Sequence, residues 1–469
     1  MTPEEFRRQG HSVVDLMADY LAALPDGPVW RPVPAETREV WRREPLPATG
    51  RDFDALLDHA REHVLPYPFG NGHPRFFGWG NPPPALEGVL AELIAAAMNP
   101  SCAGGDQAAV HLERCAVRWL ADLVGFAGDG LLISGGAAGA LTALAAARHR
   151  AAQADGWNDR VEGFTGDRAS KFVMYVSRET HSCQHKAAQL LGFGEKGVRV
   201  IPTDTVGRMD AVLLDAAISA DRRAGLLPCC VVATAGIVAT GVIDPLGEIA
   251  DICGRERVWF HVDGSLGGFG VLDPRVAHLF DGLERADSVV VDPHKWLSVP
   301  IDCAVILTRD LDDLRATFSL VPSYLRGRPG DDPWFSEYLF DQTRPFRALK
   351  LWATLAATGR DEITARICRN RDQATKLAAQ IRATPQLELL AEPEVNIVTF
   401  RYINGDDDLN RAIPTAVQRA GDVFLIGARV GEKEALRACF MHFGTSNDDV
   451  DRIIPAVLRA ADELLAHHQ

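Results

Sequence analysis

Ser288-Val-Val-Val-Asp292-Pro-His-Lys295-Trp296 decides how the rest of this 469-residue chain is read. Three consecutive valines make a short apolar run of the kind buried on both faces of a sheet. The run ends at Asp292-Pro293, where the chain must turn. Lys295 therefore stands just past the carboxyl end of a strand. The run Val258-Trp-Phe-His-Val ends the same way on Asp263, thirty-two residues earlier. Ligands of open α/β sheets sit in the crevice outside the carboxyl ends of the strands, so amine and carboxylate are expected to face one crevice, two strands apart.

Outward from this pair, further apolar runs alternate with helical stretches. They are Gly130-Leu-Leu-Ile, Lys171-Phe-Val-Met-Tyr-Val, Val198-Arg-Val-Ile-Pro, Cys229-Cys-Val-Val-Ala and Cys303-Ala-Val-Ile-Leu. With the two above they make seven candidate strands, and the alternation predicts an α/β fold, a mostly parallel seven-stranded sheet with helices on both faces. Residues 1–75 carry the amphipathic stretch Val13–Leu21, a proline-rich segment from Pro25 to Pro47 and a second helical run near Phe53–Val64, too little to form a core alone. They are expected to form an arm packed on the body or on a partner subunit. Residues 76–350 form the large domain, and 351–469, with strand-like Val395–Phe400 and Leu436–Met441 after a helix over Ala348–Ala357, a small α+β domain.

The totals narrow the function. A formal charge of -14 with no basic stripe excludes a nucleic-acid surface and leaves a small molecule as the expected partner. No apolar run reaches membrane-span length, and Met1-Thr-Pro-Glu-Glu-Phe-Arg-Arg lacks the apolar core of an export signal, so the cytoplasm is the expected compartment. Nine scattered cysteines with no CxxC read as reduced thiols and give no metal site.

The strand ends carry a specific chemistry. A lysine amine condenses with an aldehyde, and a carboxylate beside a pyridine nitrogen keeps that nitrogen protonated, which together are the demands of pyridoxal 5′-phosphate (PLP). Leu131-Leu-Ile-Ser-Gly135-Gly136-Ala137 supplies a strand, a glycine turn and an alanine-rich helix whose open N–H groups suit a phosphate. Val176-Ser-Arg-Glu-Thr-His181 ends another strand with an imidazole placed to stack on the ring. Singly, each residue has an ordinary reading: a strand-end aspartate caps a helix, glycines punctuate loops, a lysine is solvated. Four strand ends converging on one crevice favour the cofactor.

At these residues the sequence resembles the group II PLP-dependent decarboxylases, the family of aromatic-L-amino-acid, histidine and glutamate decarboxylases. Asp292-Pro-His-Lys-Trp is the family's lysine signature, and the likeness extends through Pro3–Asp15, His73-Pro-Arg-Phe-Phe-Gly, His181-Ser182, Val232-Ala-Thr234, His261-Val-Asp263 and Arg344-Pro-Phe-Arg-Ala-Leu-Lys350. It implies fold type I, aspartate-aminotransferase-like, as a homodimer with shared active sites. It further implies an amino-acid decarboxylase for aromatic or bulky L-amino acids, working through an external aldimine and a quinonoid. Lys295 matches the cofactor lysine, Asp263 the pyridinium partner, His181 the stacking histidine and His294 a neighbour of the phosphate. Thr234 lies where the strand nears the cofactor, and Asp292 within the signature.

Four positions depart from the family pattern. Gly236-Ile237-Val238 replaces Gly-Thr-Thr; Gly105-Asp106-Gln107 replaces a Ser-Pro element, with His111 two residues before Glu113; Ser265 replaces an alanine under the ring. The mobile loop before Arg344 normally presents a tyrosine that protonates the substrate carbon, and a gapless count from Arg344 puts Phe335 there, with Tyr338 three residues on. A phenyl ring cannot deliver a proton. In plant relatives with phenylalanine there, the product is an aldehyde formed with oxygen. The alternative is therefore a decarboxylation-coupled oxidative deaminase; a catalytically silent homologue and a transaminase on the same fold are further alternatives. Phe77, Trp79, His111 and Arg344 are the candidate substrate contacts, Arg344 pairing either with a substrate carboxylate or with an internal acid, and Trp334 is a second candidate wall at a dimer seam.

Overall fold

A computed structural model describes residues 1–320 and 334–467. All seven runs named above form strands: β1 (Asp129–Ile133), β2 (Phe172–Ser177), β3 (Val198–Ile201), β4 (Leu227–Thr234), β5 (Trp259–Asp263), β6 (Ser288–Val291) and β7 (Ala304–Thr308). They form one sheet in the order β1-β7-β6-β5-β4-β2-β3. Pairing is parallel from β3 through β6, whereas β7 runs antiparallel to both β6 and β1. β5 and β6 are direct neighbours, so the Asp263 and Lys295 strands are adjacent and not separated by another strand.

Alternation along each strand divides the core between the two faces. On β4, Val231 and Ala233 join one cluster, with the helices Ala108–Val124, Ala211–Arg223 and Leu246–Glu256. Cys230 and Val232 join the other, with the helices Gly136–Ala154 and Ser182–Leu190. Parallel strands buried on both sides need apolar residues at every position, which is why these runs read as continuous and not alternating.

The helical stretch Arg347–Ala383 is two helices that meet at Gly359, whose non-helical φ of 74° and ψ of 158° break the first just past the expected Ala348–Ala357 span. Its first part buries Leu351, Leu355 and Ile363 in the main core, and its last part buries Ala374, Leu377 and Ile381 against the second sheet. That sheet is antiparallel, ordered β10-β11-β9-β8, with β8 (Leu387–Leu389), β9 (Ile397–Tyr402), β10 (Ile426–Val430) and β11 (Lys433–Cys439).

The arm consists of the helices Pro3–Ala23, Ala35–Arg43 and Phe53–His63. Thr2 and Glu5 close a capping box at its start. Across the three helices only Gln9 is buried, so their apolar stripe covers almost nothing of this chain. Among the described residues no helix is long and apolar enough to cross a membrane, and all nine cysteines are free.

Candidate active site

The carboxyl ends of the parallel strands meet at a cleft of about 70 Å³. β4 delivers Thr234 and β5 delivers Asp263, which are register partners. The connection after β6 delivers Asp292, His294 and Lys295. The turn after β1 opens into the Gly136–Ala154 helix, and the loop after β2 delivers His181. Gly136, Ala137, His181, Thr234, Asp263, Ser265, Asp292 and Lys295 all line this one cleft, joined by Cys183, Gly236, Val238 and Leu266. Gly136 has to be glycine: a Cβ there would lie 2.4 Å from Ser265 Oγ and 3.3 Å from Asp292 Oδ2.

Charge is arranged in a line. Asp263 is buried at the floor, with Oδ1 accepting from the Ser265 N–H at 3.1 Å and Oδ2 from the Gln184 amide at 3.2 Å. Burial pushes its carboxyl up, but hydrogen bonds from Ser265 and the charge of Lys295 outweigh that and hold it below the ordinary aspartate value. Lys295 Nζ lies 2.9 Å from Asp292 Oδ2. Burial would favour its neutral amine, yet Asp292, and behind it Asp263, raise its pKa. Burial brings His261 down to about 4, so it is neutral, and its Nδ1 shares the Ser288 hydroxyl with Trp259 Nε1. His294 is lowered by burial as well, and its Nδ1 meets the Cys303 carbonyl at 2.6 Å. His181 caps the Ser182–Leu190 helix, its Nδ1 accepting from the Cys183 N–H.

The residues fit PLP. The Gly136–Ala154 helix starts at Gly135 with no side-chain cap, so first-turn N–H groups remain open to a phosphate. Two buried side-chain oxygens around the cleft, Thr234 Oγ1 and Asp292 Oδ1, have no hydrogen-bond partner among the described residues. Buried polar atoms are rarely left unsatisfied, so an orphaned group of this kind marks where a polar ligand belongs.

Comparison with known proteins decides the family. The pyridoxal-dependent decarboxylase conserved domain matches residues 36–403. The chain belongs to that family. Among curated relatives, the decarboxylase is 30% identical to an aromatic-L-amino-acid decarboxylase of Bacillus atrophaeus, over 99% of this chain and 97% of that protein. It is 30% identical to the mouse aromatic-L-amino-acid decarboxylase, over 99% and 100%. Among solved structures, the Oryza sativa tryptophan decarboxylase (TDC) with PLP and tryptamine superposes with a TM-score of 0.91 at 27% identity, covering 99% of both chains. Rhodiola rosea 4-hydroxyphenylacetaldehyde synthase superposes at 0.87 and 25%, also over 99% of both. The protein is a PLP-dependent amino-acid carboxy-lyase of fold type I.

Several expected site residues of the decarboxylase lie elsewhere. Phe77 is not at the pocket: it is 1% exposed and packs on Phe440 in the core of the second sheet. Arg344 is equally buried and meets an internal acid instead of substrate. Its guanidinium pairs with Glu113 and donates to the carbonyls of Cys102 and Leu132 at 2.9 and 2.6 Å. Phe335 lies in the core cluster below the Gly136–Ala154 helix, with the Arg344 guanidinium 4.9 Å from its ring centre, and Tyr338 packs on the same cluster. Neither lines the cleft of this chain. His111 is exposed, pairs with Asp106, and lines a separate surface hollow with Arg114 and Arg118. Trp334 packs over Gly104 and Gly105, where a Cβ on Gly104 would strike its backbone.

Trp79 is half-exposed and stacks on Phe69 at 4.8 Å. It precedes Gly80, whose Cβ would lie 3.7 Å from the Lys295 stem. Of the departures from the family pattern, Ile237 turns away into a small apolar cluster, while Val238 and Ser265 face the cleft. Gln184 was not foreseen. Its only sequence signal, three residues after the capping His181, suggests a helix cap and not a reach to Asp263.

Proposed function

We propose that this decarboxylase removes the carboxylate of an aromatic L-amino acid and releases the amine, working as a homodimer. The observation that carries the proposal is the opening of Lys295 and Asp263 onto one cleft beside an uncapped helix start. Bound PLP supplies the electron sink that makes loss of carbon dioxide from an amino acid possible.

The chain's own residues then divide the work. Lys295 would carry the cofactor through its amine, which Asp292 Oδ2, 2.9 Å away, holds in place as a charged hydrogen-bond partner. Asp263, kept ionised, would hold a proton on the ring nitrogen. The N–H groups of Gly136 and Ala137, with Gly135 and His294 nearby, would hold the phosphate, Thr234 and Ser265 would offer hydroxyls to the cofactor, and His181 would pack against it. Val238 and Leu266 add apolar wall, and the Phe69–Trp79 stack beside Gly80 supports an aromatic side chain as the preferred cargo. The identity of the curated relatives supports the same class of substrate.

The homodimer is supported by unspent apolar surface. The helix Leu86–Met98 exposes Leu86, Val89, Leu90, Leu93, Ile94 and Met98, between 41% and 58% each. A contiguous patch of this kind marks an association surface, and the arm offers a second. Nine free cysteines support a reducing compartment, the cytoplasm.

One assay tests the proposal. Purified holoenzyme is given a panel of L-amino acids while carbon dioxide, amine, aldehyde and peroxide are measured together, and borohydride reduction is followed by peptide mapping. Amine equal to carbon dioxide and a tag on Lys295 are expected. Near-stoichiometric peroxide would establish the oxidative deaminase in its place, and an untagged Lys295 would remove the cofactor assignment.

A further inference from the structure

Gln184 is completely buried, and a buried amide with nothing to bond costs stability. Its Nε2 donates to Asp263 Oδ2 at 3.2 Å, while its Oε1 has no partner among the described residues. The side chain therefore has one polar contact, and that contact is the carboxylate on which the ring nitrogen depends. The Ser182–Leu190 helix begins at the His181 cap, so one helical turn sends an imidazole to the cleft and an amide to the carboxylate beneath it.

We propose that Gln184 is a positioning residue for Asp263, fixing the plane and the ionised form of the carboxylate that receives the ring nitrogen's proton; this rests on the PLP reading above. The Ser265 N–H occupies Oδ1 at 3.1 Å and the Gln184 amide occupies Oδ2. Two donors on the two oxygens stop rotation about Cβ–Cγ. An ionised carboxylate has about four lone-pair sites, so room remains for the ring N–H. In a site this buried the charged form is costly, and each donor offsets part of that cost. The other ionisable groups facing Asp263 are His261 on its own strand, Cys183 on the Gln184 helix, and Lys295 and Asp292 from the connection after β6.

The test uses full-length apoprotein titrated with PLP. Gln184→Met keeps the length and removes the donor; its apo melting temperature reports folding. A hydrogen bond to a charged group predicts a Kd for PLP about tenfold higher than wild type. The pH at which the bound cofactor's visible absorbance titrates should also move upward. Gln184→Glu supplies the control that a packing role would not move. Its carboxyl donates only when protonated, so its Kd should approach wild type in acid and diverge as pH rises. A folded Gln184→Met with wild-type Kd overturns the inference. If that variant does not fold, a pH-independent ratio of Gln184→Glu to wild-type Kd overturns it. Wild-type protein that fails to take up PLP at Lys295 refutes the cofactor reading instead.

Discussion

Arg344→Leu separates a substrate contact from a structural one. The guanidinium is 1% exposed and pairs with Glu113, which is equally buried, and it also satisfies the carbonyls of Cys102 and Leu132 and lies over the Phe335 ring. Removing it leaves the Glu113 carboxylate in a dry core with the Leu132 N–H, at 3.0 Å, as its remaining hydrogen bond. Breaking a buried pair from one side costs about 3–5 kcal/mol. The stranded carbonyls place the loss toward the upper part of that range. In a chain of this size unfolding is not one transition, so the measurements are the urea midpoint and the half-life of activity on mild heating. Both should fall sharply, while KM of the surviving enzyme stays near wild type. Adding Glu113→Leu should restore part of the loss, because the uncompensated charge goes with it. A variant as stable as wild type whose KM rises tenfold would refute this reasoning and return Arg344 to the substrate carboxylate.

Phe335→Tyr puts a hydroxyl into an apolar cluster and should cost about 1–3 kcal/mol of stability while leaving the amine-to-aldehyde ratio unchanged; a rise in amine at the expense of peroxide would restore Phe335 to the loop position. The tyrosines between Lys295 and Arg344 are Tyr324 and Tyr338; Tyr338 packs with Phe335, and Tyr324 lies outside the described residues. Asp244, which binds the N–H groups of Met209 and Thr234, is raised by burial to about 6 from 3.8. A raised carboxyl stabilises the fold at low pH and loses that contribution as pH rises from about 4 to about 6, about 3 kcal/mol at 1.36 kcal/mol per unit. The wild-type urea midpoint should drop across that window relative to Asp244→Asn, and parallel curves would count against it. Leu90→Glu with Ile94→Glu should shift the protein from dimer to monomer in sedimentation; an unshifted dimer would free this face from the interface.

Legibility in the sequence followed burial. The central strands of the large sheet could be read because each is a mainly apolar, buried run bounded by turn residues. The edge strand β3 is partly exposed and was read from Val198, Val200 and Ile201, and β9 and β11 from their buried apolar residues. β8 has three residues, and β10 alternates between half-buried and exposed along Ile426–Val430, so neither carries a periodic signal long enough to separate from a loop. Strand-end residues were placed correctly at the cleft because a strand end fixes its own direction. Phe77, Arg344 and Phe335 were not, since each sits where only tertiary packing decides whether a side chain points to the crevice or the core. Phe335 in addition depended on counting back from Arg344, across 335–344, without a gap.

The antiparallel course of β7 was not foreseen, yet it follows from the lack of a crossover helix and it builds the site. Twelve residues, 292–303, join β6 to β7 with no helix among them. A parallel return needs a crossover of a dozen or more residues, usually helical, so a connection of this kind turns back as a hairpin. The hairpin brings the first residues of β7 to the end of the sheet where the parallel strands finish. There the Cys303 carbonyl accepts from the backbone N–H of His294 at 3.1 Å and meets its ring nitrogen. Lys295 N–H closes on the Asp292 carbonyl at 2.9 Å within the same turn. The amine that carries the cofactor is thus held by a short, doubly anchored loop and not by a crossover able to shift with its helix. Preorganisation of that order is what a reacting group requires.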